Sequence, residues 1–413
     1  MTTSNERPAV SRARRTLAVL EANVIPIFFF AICSVGVYYS GISWSYIAND
    51  LVGRLARDLV LVLALVVPVV AGLGLNFAVV LGAMAGQVGL IVVVNHGVHG
   101  LRGLLIAAAV ALPIALIAGI VTGRLFNKAR GREMITGIVL GFVANGIYQF
   151  IFLFLAGTSL IPMGNAEMIR PRPFPMEPAG LRNTVDLDPV KSALDNIFKI
   201  TAAPAAPGPD VSGTAAPNAF EVTAQFSWAK FDLGRMNSGE SSVYLEIPVV
   251  TFLVVAVLCG LILLLFRTKL GQDFRSIGQD QHVAEVAGIN VNRTRVIAIC
   301  ISIVLAAIGQ IMFLQEIGTM NTYNSHEQVG MYAVAALVIG GGTVSRAGIR
   351  HVLLGTLLFH VLLLVSPRAL FNIIGRGDIA EYFRAFVVYG IVAVSLVVHA
   401  WQGRRRAKAA SPP

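Results

Sequence analysis

Residues 103–122 read GLLIAAAVALPIALIAGIVT, which is twenty consecutive residues without a charged side chain. A helix needs about 20 mostly apolar residues to cross the hydrocarbon core of a bilayer. The backbone in lipid must satisfy its own polar groups, so this stretch predicts a transmembrane helix. The whole chain has the same character, because 56% of its 413 residues are hydrophobic and 13% are charged, against about a quarter charged in a soluble domain. A soluble fold is therefore excluded.

Further apolar runs lie on both sides of this stretch. Ten runs are present in all, at 24–39, 57–74, 76–95, 103–122, 134–156, 246–266, 296–315, 331–345, 351–366 and 384–402. With the N-terminus in the cytoplasm, ten crossings place five clusters of Lys and Arg on the cytoplasmic side, as the positive-inside rule requires. These clusters lie at 7–15, 124–132, 267–295, 346–350 and 404–406. We therefore expect an all-α polytopic membrane protein with about ten transmembrane helices and both termini in the cytoplasm.

The apolar runs divide the chain into four parts. Residues 1–156 form an N-terminal membrane half of five spans, and residues 157–245 form a long extracytoplasmic insert. Residues 246–403 form a C-terminal membrane half of five spans with a cytoplasmic loop at 267–295, and residues 404–413 form a basic cytoplasmic tail. Membrane orientation accounts for the net charge of +10, so we expect no nucleic-acid partner.

The insert has a mixed pattern. Residues 188–200 predict a short helix, and residues 220–226 alternate like a strand. Between them, residues 202–217 form an Ala/Pro/Gly tract that is too poor in large apolar residues to pack. Ahead of the second apolar run, residues 43–57 are amphipathic and are expected at the outer surface of the membrane.

The sequence lacks the motifs of common catalytic sites. It contains neither GxxxxGKS nor GxxxxGKT, which bind nucleotide phosphates, nor the GxSxG nucleophile motif. His326-Glu327 begins a zinc-protease pattern, but Gly330 stands where the second His is needed. The three cysteines lie in apolar runs and predict neither a disulfide nor a metal site. We expect a chain that is not an enzyme; the alternative of another class is a membrane receptor or enzyme that uses the extracytoplasmic insert.

The cytoplasmic loop contains a short capped helix. Asp280 is a good N-cap, residues 281–287 predict two helical turns with apolar Val283 and Ala284, and Gly288 suits the C-terminal end. This helix is either a surface connector or a docking element whose apolar side chains enter a groove of a motor subunit.

Residues 275–293, which read RSIGQDQHVAEVAGINVNR, resemble the cytoplasmic loop of the permease subunits of bacterial ABC importers. The branch in question serves ribose and other simple sugars, nucleosides and branched-chain amino acids, and its loop commonly reads RAIGxNPxAAxxxGI. Asp280 stands at the Asn position of that pattern, and Gln281 replaces the Pro. Further resemblance lies in ALVIGGGT at 336–343 and GTLL at 355–358, although GIRH at 348–351 replaces the usual Gly-Gly-Arg-Gly.

The N-terminal half is similar to the same family in fewer positions. GLGLN at 72–76 and GAMAGQ at 82–87 are placed like the glycine-interrupted second and third spans of the family. EMIT at 133–136, followed by Asn145, is more similar to the nucleoside-type permeases.

The resemblance implies a permease subunit in the bacterial plasma (inner) membrane. Its implied partners are a cytoplasmic ABC ATPase, a second permease subunit that is identical or related, an extracytoplasmic solute-binding protein and membrane lipid. ATP and Mg²⁺ would be bound by the ATPase, and this chain would hold no cofactor. Coupling to the ATPase is expected at Arg275, Asp280, Gln281, His282, Val283, Ala284, Glu285 and Gly288.

Polar residues inside the apolar runs are candidates for the translocation pathway, because polar groups facing lipid are costly. They are Asn76, Gln87, Asn145, Gln149 and Gln310. The alternative is that they hydrogen-bond neighbouring helices. Such an uncharged set would suit a neutral polyhydroxylated solute, so a simple sugar or a nucleoside is the first expectation. Branched-chain amino-acid import is the alternative within the same class.

Overall fold

A computed structural model describes residues 23–170, 180–195, 199–202, 222–226, 228–232 and 244–376, together with single residues between 379 and 393. Most of these residues are helical. The helices are α1 Val24–Ser40, α2 Trp44–Leu63, α3 Val66–Val70, α4 Val79–Asn95, α5 Gly100–Lys128, α6 Glu133–Phe150, α7 Val249–Arg267, α8 Lys269–Gln279, α9 Gln281–Val286, α10 Val291–Ile317, α11 Ser325–Ile339 and α12 Ile349–Ile374. A π-helical turn, Ile151–Leu155, extends α6.

Five helices of the described residues are long and apolar enough to cross a membrane: α5, α6 with its π-helical turn, α7, α10 and α12. Helices α1 and α4 are apolar but shorter. The eighth predicted span, 331–345, corresponds to α11, which begins six residues earlier and ends before Gly340. The tenth predicted span, 384–402, falls almost wholly outside the described residues. The number of ten spans therefore stays a prediction.

The apolar block at 57–95 is divided where glycines interrupt it, as the sequence predicts. Helix α3 ends at Val70, and Gly72 and Gly74 have φ of +72° and +75°, a region that residues with a Cβ rarely adopt. A Cβ on Gly72 would lie 2.8 Å from the Cα of Gly278, the second-last residue of the neighbouring helix α8. The break between α3 and α4 therefore lies directly against the backbone of the 267–295 loop.

Residues 43–57 are not separate from the apolar run that follows them, and their place at the outer surface of the membrane stays a prediction. They form the first part of α2, with Ser43 accepting a hydrogen bond from the backbone N–H of Tyr46 at 3.4 Å. The helix then continues without a break to Leu63, and its second half is buried. The polar face made this segment look separate, but the backbone has no residue there that would end a helix.

The centre of the molecule is formed by α4, α5 and α10. A Cβ on Gly82 of α4 would overlap the carbonyl oxygen of Ile303 and lie 2.8 Å from Ala306 Cβ, both on α10. Small residues thus allow these backbones to approach closely, as is common between membrane helices.

Residues 180–195 of the insert lie on the C-terminal end of α10. Strand β1, Thr184–Asp186, pairs antiparallel with β6, Thr319–Asn321, and Val185 lies opposite Met320. Further along, the N–H of Ser192 donates to the carbonyl of Gln315 at 2.8 Å. The other strands are β2 Lys199–Ala202, β3 Val222–Phe226, β4 Trp228–Asp232 and β5 Tyr244–Pro248, with β2 paired to β3 and β4 to β5.

The helix predicted at 188–200 is wrong. Only Asp188–Val190 forms a single 3₁₀ turn, Ser192 has φ of +48°, and Lys199–Ala202 is a strand. Pro189 stands in the first turn, where proline is tolerated, so the left-handed Ser192 is what stops the helix from continuing. The strand predicted at 220–226 is confirmed as β3. Nearly all of the predicted linker at 202–217 lies outside the described residues.

Candidate functional site

The short helix of the 267–295 loop is formed as its caps predict. Asp280 Oδ1 accepts from the backbone N–H groups of His282 at 2.8 Å and Val283 at 3.1 Å. At the other end, Gly288 has φ of +82° and closes the helix. Helix α8, which precedes it, was not predicted; Thr268 caps it by accepting from the N–H of Gly271 at 3.4 Å.

The exposed apolar surface of α9 differs from the expected one. Val283 is 63% exposed and Val286 is 77% exposed, whereas Ala284 is 1% exposed. Ala284 packs with Ile277 and Val291 in a small apolar cluster. Ala284 therefore holds the loop together, and an approaching partner would meet Val283 and Val286. These two residues are called the valine pair below.

The other residues named for coupling surround the valine pair. His282, Glu285 and Gly288 are exposed, and the guanidinium carbon of Arg275 lies 5.7 Å from the ring centre of Phe266. Gln281 is turned inward and is half-buried.

Gln281 meets Arg295 of α10, which is fully buried. Arg295 Nη1 donates to Gln281 Oε1 at 3.0 Å, and Nη2 donates to the carbonyl of Phe126 at 3.3 Å. Nη2 also forms an ion pair with the carboxylate of Glu133. One guanidinium thus connects α9, the end of α5 and the first residue of α6, an arrangement that the forked donors of Arg permit. We call these four residues the Arg295 junction.

The sequence reasoning missed this junction because it counted Arg295 among the basic residues that set orientation. A signal was available in the helical spacing. Arg295 lies four residues after Val291 and four before Ile299, and all three are buried. A charged residue on the apolar stripe of a helix calls for a buried partner.

Three of the five predicted pathway residues come together in one polar cluster. Gln87 of α4 and Asn145 of α6 lie on either side of His326 of α11, with Nδ1 2.8 Å from Gln87 Oε1 and Nε2 2.8 Å from Asn145 Oδ1. Gln149 Nε2 donates to Asn145 Oδ1 at 3.3 Å, and Asn145 Nδ2 donates to the carboxylate of Glu327. We call these five residues the His326 cluster.

The cluster is not the uncharged set that the sequence suggested, since it includes an imidazole and a carboxylate. His326 and Glu327 were set aside because their pattern fails as a zinc-protease motif, and the described residues contain no group of three or more His, Cys, Asp or Glu that could hold a metal. A better signal was their place one turn before an apolar run, where polar side chains can face other spans.

Asn76 and Gln310 lie outside the cluster. Asn76 Nδ2 donates to Ser302 Oγ at 3.0 Å, and its Oδ1 accepts from the N–H of Ala78 at 3.0 Å. Its amide nitrogen thus joins the helix break to α10, and its oxygen holds the start of α4. Gln310 is fully buried, and within the described part of the chain neither of its amide atoms has a hydrogen-bond partner.

A cavity of about 580 Å³ adjoins the His326 cluster. It lies between α4, α5 and α6 and is lined by apolar side chains, with Asn95 and His96 at one end. Tyr148 borders it, and the Tyr148 ring lies 5.0 Å from the imidazole of His326 between centroids. Tyr148 thus links the cavity to the cluster, although none of the five cluster residues lines the cavity itself.

Comparison with known proteins finds similarity to membrane permeases. Residues 190–396 match the family described as branched-chain amino acid transport system / permease component. The autoinducer 2 import system permease protein LsrC of Klebsiella pneumoniae is 33% identical over 123 residues, which are 30% of this chain and 35% of LsrC. The nucleoside ABC transporter permease protein NupB of Lactococcus lactis is 25% identical over 186 residues, which are 44% of this chain and 48% of NupB.

The probable branched-chain amino acid transport permease protein LivH of Methanocaldococcus jannaschii is 30% identical over 150 residues, 36% of this chain and 42% of LivH. The chain thus spans about a third to a half of the length of these curated relatives. No solved structure matches it. Because the family match extends over half of the sequence, this chain belongs to the family of permease components of branched-chain amino acid transport systems and is an ABC permease of the sugar, nucleoside and branched-chain amino-acid branch.

Proposed function

We propose that this chain forms the translocation pathway of an ATP-driven importer for a small polar solute. The family match and the names of the relatives support a transport subunit rather than a catalytic enzyme. In this proposal the chain crosses a bacterial inner membrane about ten times with both termini cytoplasmic, and residues 157–245 lie outside. The energy comes from a separate ATPase that binds ATP and Mg²⁺.

The observation that carries the proposal is the valine pair on a capped helix. Two large apolar side chains that are exposed next to each other on a polar loop are more favourably placed in the apolar groove of a partner protein than in water. Asp280 and Gly288 fix both ends of the helix, so the pair is presented with little conformational freedom. The remaining partners in the proposal are a second permease subunit and an extracytoplasmic solute-binding protein.

The solute proposed first is a simple sugar or a nucleoside. The amides of Gln87, Asn145 and Gln149 offer both donors and acceptors, which suits hydroxyl groups. Glu327 and His326 hold Asn145 from two sides, so they would orient an amide toward a solute rather than act alone. Branched-chain amino-acid uptake is the second candidate, supported by the similarity to LivH.

Co-purification with the ATPase encoded beside this chain tests the proposal. The variant Val283→Asp/Val286→Asp places two negative charges in the apolar groove proposed for the ATPase. We therefore expect at least a tenfold loss of bound ATPase, equivalent to about 1.4 kcal/mol or more. Gln272→Asp/Ser276→Asp adds the same charge on exposed positions of α8 and should bind like the wild type. If the variant with both valines replaced binds as much ATPase as the wild type, the valine pair is not the docking site.

A thermal-shift screen of the cognate solute-binding protein with sugars, nucleosides and amino acids would identify the solute class.

A further inference from the structure

Helix α6 has few buried contacts along most of its length. Its buried residues are Glu133, Gly137, Gly141 and Tyr148, while large apolar side chains such as Phe142 and Ile147 are exposed. A Cβ added at Gly141 or at Gly146 would meet no atom within 4 Å. Among the described residues, the side-chain hydrogen bonds and ion pairs of α6 to other elements are formed by Glu133, its first residue, and by Asn145, near the middle of the span that ends at Leu155.

These two attachment points are the Arg295 junction and the His326 cluster. At its first residue, Glu133 is paired with the guanidinium of Arg295. Twelve residues later, Asn145 bonds to His326 and Glu327 of α11. At 1.5 Å per residue the two points are about 18 Å apart along one helix.

The first attachment point is also the place where the docking helix joins the membrane helices through a polar side chain. Gln281 is the first residue of α9, and its side chain accepts from the same guanidinium that holds Glu133. A displacement of α9 would therefore move the start of α6 through two polar contacts, Gln281 to Arg295 and Arg295 to Glu133. A proline, which the resembling loops have at this position, could not accept that hydrogen bond with its side chain.

We propose that Arg295 is a positioning residue that transmits the movement of α9 to α6, and through α6 to Asn145 of the His326 cluster. The inference rests on the proposed function, since it supplies the route from the docked ATPase to the pathway. Arg295 itself touches neither the partner nor the solute. It acts by keeping Gln281 and Glu133 on one rigid planar group.

The test uses Gln281→Ala, which removes the contact with α9 and leaves the buried Arg295–Glu133 pair intact. Gln279→Ala is the matched control, because Gln279 is an exposed amide two residues earlier. Spin labels are placed on cysteines introduced at Phe154, beyond the end of α6, and at Ile373 near the end of α12, both of which are exposed. The native residues Cys33, Cys259 and Cys300 are replaced by Ala. Labelled chain is diluted with unlabelled chain, so that distances within one chain dominate.

The complex with the ATPase is measured by pulsed electron paramagnetic resonance without nucleotide and after trapping with ATP and vanadate. We expect a trapping-dependent change of the label distance in the otherwise wild-type chain and in Gln279→Ala. In Gln281→Ala that change should fall to less than half, as measured in the complex that retains the ATPase. Arg295→Lys keeps the positive charge but loses the forked guanidinium donors. It should reduce the trapping-dependent change of the label distance by a similar amount.

An undiminished distance change in Gln281→Ala would overturn the inference. Loss of ATPase binding in Gln281→Ala would also overturn it, because Gln281 would then belong to the docking surface. A wild-type chain that binds no ATPase would instead refute the proposed function, and the inference with it.

Discussion

Helices α10 and α6 are both long and apolar, but they are held in different ways. In the apolar part of α10, 61% of the residues are buried, against 17% in α6 with its π-helical turn. Helix α10 packs on α4 and α5 through small residues along its length, whereas the polar attachments of α6 are Glu133 at its start and Asn145 near the middle of the span. The difference indicates that α10 is held mainly by burial along its length, whereas α6 combines limited packing, at Gly137 and Tyr148 for example, with polar contacts at Glu133 and Asn145.

The largest effect is expected where the two helices meet, at Arg295. In Arg295→Met the carboxylate of Glu133 is left buried without its partner, and breaking such a pair costs about 3–5 kcal/mol. The apparent Tm in detergent, followed by tryptophan fluorescence, should fall markedly. Arg295→Met/Glu133→Leu should regain much of the loss, because replacing both partners by apolar groups is often close to neutral. A single variant as stable as the wild type would contradict the buried pair.

A matched pair of glycines compares the packing of the two helices directly. Gly82→Ala places a methyl group against the backbone of α10 and should cost about 1–3 kcal/mol through overpacking. Gly146→Ala on α6 meets open space and should cost no stability, with a gain of up to about 1 kcal/mol from helix propensity. Thermal unfolding of both variants measures this contrast. Equal losses would mean that α6 is packed as tightly as α10.

The second attachment of α6 is tested by His326→Ala. The variant removes the contacts of the imidazole with the side-chain amides of Gln87 and Asn145, which should lower the free energy of unfolding by about 1–2 kcal/mol. His99→Ala, at an exposed loop position, is the control and should leave Tm unchanged. Transport assays in proteoliposomes should show a larger loss for His326→Ala than its stability alone explains if the cluster lies on the pathway. Retained transport would leave the cluster a purely structural role.

The smallest effect is expected at the insert end of α10, where Asp195 is fully buried. Burial raises the pKa of this carboxyl group, and hydrogen bonds from Thr251 partly oppose the shift. Because the pKa is higher in the folded than in the unfolded chain, stability is greatest below the unfolded pKa and is lost as the pH rises through the folded value. Asp195→Asn should therefore gain Tm over the wild type at pH 8 and lose that advantage near pH 4. Asp186→Asn, at an exposed position, should show no such trend.

Local rules were sufficient for much of the fold. The cap at Asp280, the terminator at Gly288 and the strand at 220–226 are confirmed, because each depends on neighbouring residues. The helix predicted at 188–200 failed where the left-handed Ser192 and the hydrogen bond from its N–H to the carbonyl of Gln315 outweighed local propensity.

The composition of the candidate sites was less predictable, since it depends on contacts between distant residues. His326 and Gln87 are 239 positions apart, and Arg295 and Glu133 are 162 apart. Apolar periodicity places such residues on a buried face, but it does not say which buried polar groups meet. Gln87, Asn145 and Gln149 were identified individually as polar groups within spans, whereas their grouping around His326 required the fold.

The backbone crossing of Gly72 and Gly278 limits how the loop and the helix break can evolve. A Cβ on Gly278 would overlap the carbonyl of Val70, and one on Gly72 would press on Gly278 itself. In both cases the Cβ would meet backbone atoms, which cannot turn away as a side chain can. Neither glycine can therefore be replaced unless the two backbone segments move apart. A distant relative with a bulky residue at either place should therefore hold the loop farther from the break.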